Sequence, residues 1–242
     1  GRSFQEELIL VDTAKKKHFK LNNFKREEEL FNALVLGVKD YFRKSNHKEA
    51  VIGISGGIDS AITSVVAETA LGPSNVHGIY MPSKFSSSNS DLDSKKLTSN
   101  LDIDFRVIPI NDLALSFEKA LNSSFKGLEA GIAEENIQAR IRGTILMALS
   151  NKFGWLVLST GNKTEMALGY CTLYGDMNGG LSVISDLSKS DVYSIANWIN
   201  TYRRKEIIPL NTLTRLPTAE LAYDQHDPFD YEIVSPLVSM LI

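Results

Sequence analysis

The chain alternates between short, continuously apolar runs and longer segments whose apolar residues return every three or four positions. "AVIGI" (50–54), "VHGIYM" (76–81), "FRVIPI" (105–110) and "WLVLST" (155–160) are runs of the first kind and predict strands. Helical spacing appears over 26–45, where Leu30, Phe31, Leu34, Val38, Tyr41 and Phe42 recur. It appears again over 60–71, stopped by Gly72-Pro73. Weakly amphipathic 91–101, the long segment 133–153 with Ile137, Ile141, Leu146, Leu149 and Phe153 mostly on one face, and 190–200 complete the set. "FQEELILVD" (4–12) also predicts a strand, although nothing close in sequence obviously pairs with it; a polar stretch through Lys15, Lys16 and Lys17 follows. Continuously apolar strands separated by helices indicate an α/β fold: a doubly wound, mostly parallel, Rossmann-like sheet with helices on both faces. Such sheets bind ligands beyond the carboxyl ends of their strands, and Ser55 and Thr160 each fall just after one.

Bulk properties narrow this only a little. A length of 242 residues suits one large domain, and a 43% apolar share suits a globular core. The net charge of −3 gives no reason to expect a nucleic-acid or membrane-surface partner. Cys171 stands alone and makes no internal disulfide, so a reducing, cytoplasmic setting is expected. No apolar run approaches the roughly 20 residues of a membrane helix, and the first residues lack the apolar core of a signal peptide. Because the chain opens on Gly1-Arg2-Ser3, it is expected to be processed, tagged or part of something longer. His18, His47, His77 and His226 share no metal-ligand spacing and read as structural.

The chemistry begins at "VIGISGGIDSAITSVV" (51–66). A strand–loop–helix unit presents unpaired backbone N–H groups and the positive end of a helix dipole. Gly56 and Gly57 permit positive φ and let a phosphate approach without a Cβ in the way. Ser55 and Ser60 add hydroxyls. Charge-assisted hydrogen bonds of about 1.5–3 kcal/mol each would hold a pyrophosphate with three or four contacts. No lysine follows Gly57, so this is not the G-x-x-x-x-G-K-[ST] loop, nor is it G-x-G-x-x-G. Two adjacent glycines taken alone fit a tight structural turn equally well. Asp59 would repel a phosphate unless Mg²⁺ bridged them, or else it is an early-helix acid complementing the dipole.

The string "SGGIDS" resembles the pyrophosphate loop of the ATP pyrophosphatase group, which includes GMP synthetase, asparagine synthetase, tRNA-thiolating enzymes and NAD synthetase. "LVLSTGNKTEMALGYCTLYGDMNGGLSVISDLSKSDVY" (156–193), "AEENIQARIRG" and "PTAEL" resemble NAD synthetase, and the likeness runs from about residue 28 to 225. "GNK" and "YCTLYGDM" are similar to its glutamine-dependent branch; so is the presence of Leu173 where the ammonia-dependent branch has lysine, and the lack of an acid near Gly180.

This resemblance implies ATP held by Gly53, Ile54, Ser55, Gly56, Gly57, Ile58, Asp59, Ser60, Thr160, Lys189 and Thr218. It implies Mg²⁺ on Asp59 and Glu165, and deamido-NAD against Asn136, Arg140, Glu165, Tyr170 and Asp176, with Tyr174 in the same loop. Asp59, Lys189 and Asp176 are the residues it sets nearest the chemistry, Lys189 as a point charge on the phosphates. Without the family, Glu165 reads equally as a solvated helix acid, Lys189 as a surface lysine and the tyrosines as packing; Arg142 reads as structural and Cys171 as inert filling. The implied reaction is ATP-dependent amidation of deamido-NAD to NAD through an adenylated intermediate, with ammonia free or from a glutaminase. Residues 1–24 are expected to be the remnant of an upstream glutaminase domain with its linker, and 25–242 the synthetase domain, stopping short of the family's C-terminal basic loop. A homodimer with deamido-NAD at its interface is implied too. The rival expectations are another adenylating amidotransferase, such as GMP synthetase, and a nucleotide-binding fragment inactive on its own.

Overall fold

A computed structural model describes residues 3–14 and 25–241. Five strands, β1 (Ala50–Ile54), β2 (Val76–Tyr80), β3 (Asp104–Val107), β4 (Leu156–Ser159) and β5 (Leu181–Ser182), form one sheet in the order β3-β2-β1-β4-β5. Every neighbouring pair is parallel, with Val51 opposite both His77 and Val157. The helices are α1 (Arg26–Ser45), α2 (Ile58–Leu71), α3 (Ser88–Leu101), α4 (Asn111–Leu121), α5 (Ile132–Phe153), α6 (Lys163–Leu168), α7 (Lys189–Tyr202), α8 (Leu210–Thr214) and α9 (Tyr231–Leu241).

Because successive strand residues point to opposite faces, β1 feeds two cores. Ala50, Ile52 and Ile54 join Ile62, Val65, Leu97, Ile195 and Ile199 from α2, α3 and α7. Val51 points the other way, to Ile141 and Leu146 of α5 with Ile79 and Val157. A side chain of this kind, fully buried, contributes roughly 1.5–3 kcal/mol, which explains why the strands are apolar without a break. The chain runs from β1 outward to β3, then returns beside β1 as β4. The sheet therefore reverses its winding between β1 and β4, the place where such folds open a crevice at the carboxyl ends.

The strands and long helices lie where the periodicity puts them, to within a few residues. The segment 4–12 does not. It is turn and extended chain that joins no strand, with Leu8 89% and Leu10 92% exposed. Apolar alternation makes a strand only where an edge accepts its hydrogen bonds, and neither β3 nor β5 does. The polar stretch through Lys15–Lys17 and His18 lies outside the described residues. Helix α4 went unanticipated because Leu113, Leu115 and Phe117 alternate as in a strand, and none of its residues is buried.

Candidate functional site

The turn after β1 carries the first group of candidates. Gly56 has φ +75°, and a Cβ there would come within 2.8 Å of the Ser90 carbonyl oxygen, so the loop cannot lie against α3 with any larger residue. Gly57 is extended instead, with φ −80°. Its glycine is explained by proximity, because a Cβ would sit 3.1 Å from Ser55 Oγ. Ser55 Oγ accepts the Gly57 N–H at 3.1 Å, and Ser60 Oγ donates to the Gly57 carbonyl at 3.0 Å.

Three helix N-termini meet beyond this turn: α2 brings Asp59, α6 brings Glu165 and α7 brings Lys189. Lys189 Nζ donates to Asp59 Oδ2 at 2.6 Å and to Glu165 Oε1 at 2.9 Å, with its side chain only 2% exposed. A lysine in the first turn of a helix opposes the dipole, so these two acids hold it there. Burial works against the ammonium's charge, but the Asp59 and Glu165 carboxylates outweigh it and raise its pKa. One cation cannot neutralise two carboxylates. Burial, and then the charge of Asp59, push Glu165 up to about 7.

Asn162 fixes the acids in place. It is fully buried, donates through Nδ2 to Asp59 Oδ1 at 2.9 Å, and exchanges a capping pair with Glu165 across the first turn of α6. Behind Lys189 lies the ring of Tyr231, 5.1 Å from Nζ. Tyr231 and Tyr170 both donate to Asp227, at 2.8 and 3.1 Å. Burial and the Asp227 carboxylate raise both phenols.

Two cavities flank this cluster. The larger, about 280 Å³, runs from Gly53, Ile54 and Ser55 past Tyr80, Met81 and Arg142 to Thr160, Asp176 and Glu220. The smaller, about 140 Å³, is walled by Gly57, Ile58, Lys189, Thr212, Arg215 and Asp227. Ser55, Asp59, Glu165, Tyr170, Asp176 and Thr218 face both. Thr218 sits on a strap held by its own Oγ1, which donates to the Gln225 carbonyl and accepts the Glu220 N–H. Asp176 is exposed at the mouth of the glycine-rich loop and accepts the Thr172 N–H at 2.7 Å; the protein around its carboxyl raises its pKa against that bond.

The fold thus gathers Gly53, Ile54, Ser55, Gly57, Ile58, Asp59, Ser60, Thr160, Glu165, Tyr170, Asp176, Lys189 and Thr218 around the cavities. It does not bring Asn136 and Arg140 there. Arg140 is exposed and donates to the Leu173 carbonyl, while Asn136 accepts from Thr172 Oγ1. Arg142, two residues further along α5, reaches the larger cavity instead, with Nε on the Met81 carbonyl at 3.0 Å and a pKa that burial lowers to about 10. Sequence reasoning also missed Asn162, Arg215, Glu220, Asp227 and Tyr231. Asn162 sat in the quoted "GNK", and its cap signature, Asn three residues before Glu165, was readable; the others are joined only by the tertiary fold.

Asp59 and Glu165 offer hard oxygens converging on one point that already carries a cation, which fits a small divalent ion. Among the described residues no three His, Cys, Asp or Glu side chains surround a metal position. Such an ion would draw its remaining ligands from phosphate and water.

A parallel sheet with a phosphate-type turn and converging acids at its winding reversal defines a nucleotide-binding α/β protein. The family model for NAD synthase matches residues 30–239, and the chain belongs to that family. It is 52% identical over 220 residues to a glutamine-dependent NAD(+) synthetase of Thermotoga maritima, covering 90% of this chain and 38% of that protein. The chain therefore spans about two fifths of the length of the curated relatives it matches. Among solved structures it is similar to a glutamine-dependent NAD+ synthetase of Acinetobacter baumannii in complex with ADP: TM-score 0.80, 35% identity, 93% of this chain and 46% of the other. It is also similar to an NMN synthetase of Francisella tularensis: TM-score 0.80, 25% identity, 90% and 87%.

Proposed function

We propose that this chain amidates deamido-NAD to NAD at the expense of ATP, releasing AMP and pyrophosphate. The observation that carries this reading is the convergence of Asp59, Glu165 and Lys189 between two cavities at the sheet's winding reversal. The nicotinate carboxylate attacks the α-phosphorus, the bond to the β-phosphate breaks, and pyrophosphate leaves. Ammonia then adds to the acyl carbon of the adenylate and AMP departs. The 55–60 turn holds the pyrophosphate on backbone N–H groups, and Lys189 contributes fixed positive charge at its edge. Mg²⁺ held by Asp59 and Glu165 would neutralise phosphate charge. Asp176 and Tyr170 wall the acyl end. Little acid–base chemistry is needed, since the one proton shed by the ammonia nitrogen as AMP departs can pass to water; positioning and charge lower the barrier.

Asn136 and Arg140 serve the substrate only if another surface covers their face of α5. The exposed Leu113, Leu115 and Phe117 of the neighbouring α4 support a homodimer doing so. The 3–14 segment, which joins no strand of the sheet, supports assigning residues 1–24 to a preceding glutaminase domain and linker, and 25–242 to the synthetase. Among the described residues no helix is long and apolar enough to cross a membrane; the lone Cys171 supports a reducing, cytoplasmic setting. A second substrate, the mononucleotide, is favoured by the likeness to the NMN synthetase. Incubating the chain with ATP, MgCl₂, ammonium and either deamido-NAD or nicotinate mononucleotide, then resolving products, tests both. AMP with NAD is the expected outcome; AMP with NMN alone would replace it, and no AMP with either would overturn it.

A further inference from the structure

The smaller cavity has two cations in its wall, and they are not equivalent. Lys189 reaches the nucleotide with its charge already shared with Asp59 and Glu165. Arg215, just past α8, is held differently. Its Nη1 donates to the Ser90 hydroxyl at 2.8 Å, and the nearest carboxylate oxygen, Glu220 Oε1, is 3.9 Å away, beyond hydrogen-bond range. That oxygen is engaged elsewhere, accepting from Ser90 Oγ at 2.7 Å and Ser87 Oγ at 2.9 Å. The guanidinium is thus anchored at one corner by a neutral, fully buried serine and faces Glu220 at 3.9 Å without a hydrogen bond to it, which leaves its remaining N–H groups without a protein acceptor among the described residues. Its other terminal nitrogen, Nη2, lies 3.9 Å from the point a Gly57 Cβ would occupy, directly over the phosphate-type turn. The side chain is 19% exposed and lines the cavity.

We propose that Arg215 is the residue that grips the pyrophosphate of the nucleoside triphosphate, with Ser90 and Glu220 as positioning residues that aim it. This rests on the nucleotide reading of the site. A planar fork with two free N–H edges matches two phosphate oxygens at once, which a lysine does not. Gly57 keeps the space between fork and turn open. The chain's grip on pyrophosphate then comes from opposite sides, backbone N–H groups below and guanidinium above.

Titration calorimetry of the full chain with inorganic pyrophosphate and, separately, AMP tests this, with thermal unfolding of each variant alongside. Arg215→Ala should weaken pyrophosphate about 10- to 100-fold, the size of lost hydrogen bonds to a charged group, and leave AMP within about twofold. Arg215→Lys should fall between, and Ser90→Ala should reproduce a smaller version of the same selective loss. Unchanged pyrophosphate binding in Arg215→Ala overturns the proposal. So does an equal loss of both ligands in Arg215→Ala and Arg215→Lys, which marks a structural role. Wild-type chain that binds neither ligand overturns the nucleotide reading itself, and this proposal with it.

Discussion

Both ends of the sheet hold a basic side chain between two acids, and the two cavities described above lie beside one of them. At the carboxyl end Lys189 sits between Asp59 and Glu165. At the amino end His77 presents Nδ1 to Asp104 and Nε2 to Glu49, both at 2.9 Å. There the ring stacks on Trp155 with centroids 3.6 Å apart, Trp155 donates to the same Glu49, and Arg106 lies over the indole. The acids differ in what surrounds them. Glu49 and Asp104 are about two fifths exposed, so water shares their charge; Asp59 and Glu165 are less than one fifth exposed. Burial opposes ionisation of Asp104, but His77 and Arg106 prevail and lower its pKa. Burial prevails at Glu165 and raises its value to about 7. The two acids therefore pull stability in opposite directions. Asp104 contributes above its ordinary value of 3.8 and loses that as pH falls. Glu165 contributes most below its ordinary value of 4.5 and loses that as pH rises through about 7. Acids that burial makes costly to ionise cluster at functional sites; the contacts at the amino end join residues at the starts of β1, β2, β3 and β4.

The sharpest way to break this contrast is Asp59→Asn, which should cut turnover roughly a hundredfold to a thousandfold, the scale of a lost charge-stabilising contact. Steady-state assays across Mg²⁺ concentrations check it, and an unchanged Mg²⁺ dependence would remove Asp59 from the metal role. Next in size is Lys189→Met, which leaves two inward carboxylates uncompensated and should cost about 3–5 kcal/mol in urea unfolding with EDTA. Added Mg²⁺ should recover part of that loss if the acids accept a divalent ion. The matching change at the other end, His77→Gln, should cost only about 1–2 kcal/mol and leave the ATP KM where it was. A shifted KM would mean that the two ends are coupled. Smallest is Asp191→Asn. Burial opposes this acid's charge, yet Ser188 and Arg26 lower its pKa below 3.8. The substitution should cost about 0.3–1 kcal/mol near pH 6, and melts carried from pH 6 into acid should show the difference shrinking once pH drops below the ordinary value of 3.8.

The layout of the carboxyl end was largely legible in the sequence, because its parts are local signals. A strand, two glycines and a helix place Ser55 and Asp59 without help from the rest of the chain, and "WLVLST" does the same for Thr160. Arg140 and Arg142 show where that ends. Both lie on one helix, and which of them faces a cavity depends on how α5 rolls onto β1, a matter settled by Ile141 and Leu146 packing with Val51 and Met81 while Gly143 lies against the backbone of Tyr174 and Gly175. Arg215 had no local signal, and Glu220 sat in "PTAEL" without a role; they matter because the strap crosses the turn more than a hundred residues away in sequence. The 4–12 run failed for a related reason, since a strand needs a neighbour that its own pattern cannot supply.

The strand order carries a consequence for how the molecule comes into being. β1, β2 and β3 are consecutive and can pair as soon as they leave the ribosome, but β4 reaches β1 only after a loop of about 100 residues has closed, a slow, non-local step. The phosphate-type turn is thus made early, while Glu165, Lys189 and Arg215 arrive last. A nascent or truncated chain ending before α6 holds half a pocket, with Asp59 at its rim and neither Lys189 nor Arg215. Under the proposed reading, full nucleotide affinity reports that synthesis has passed Arg215 and that β4 has closed onto β1.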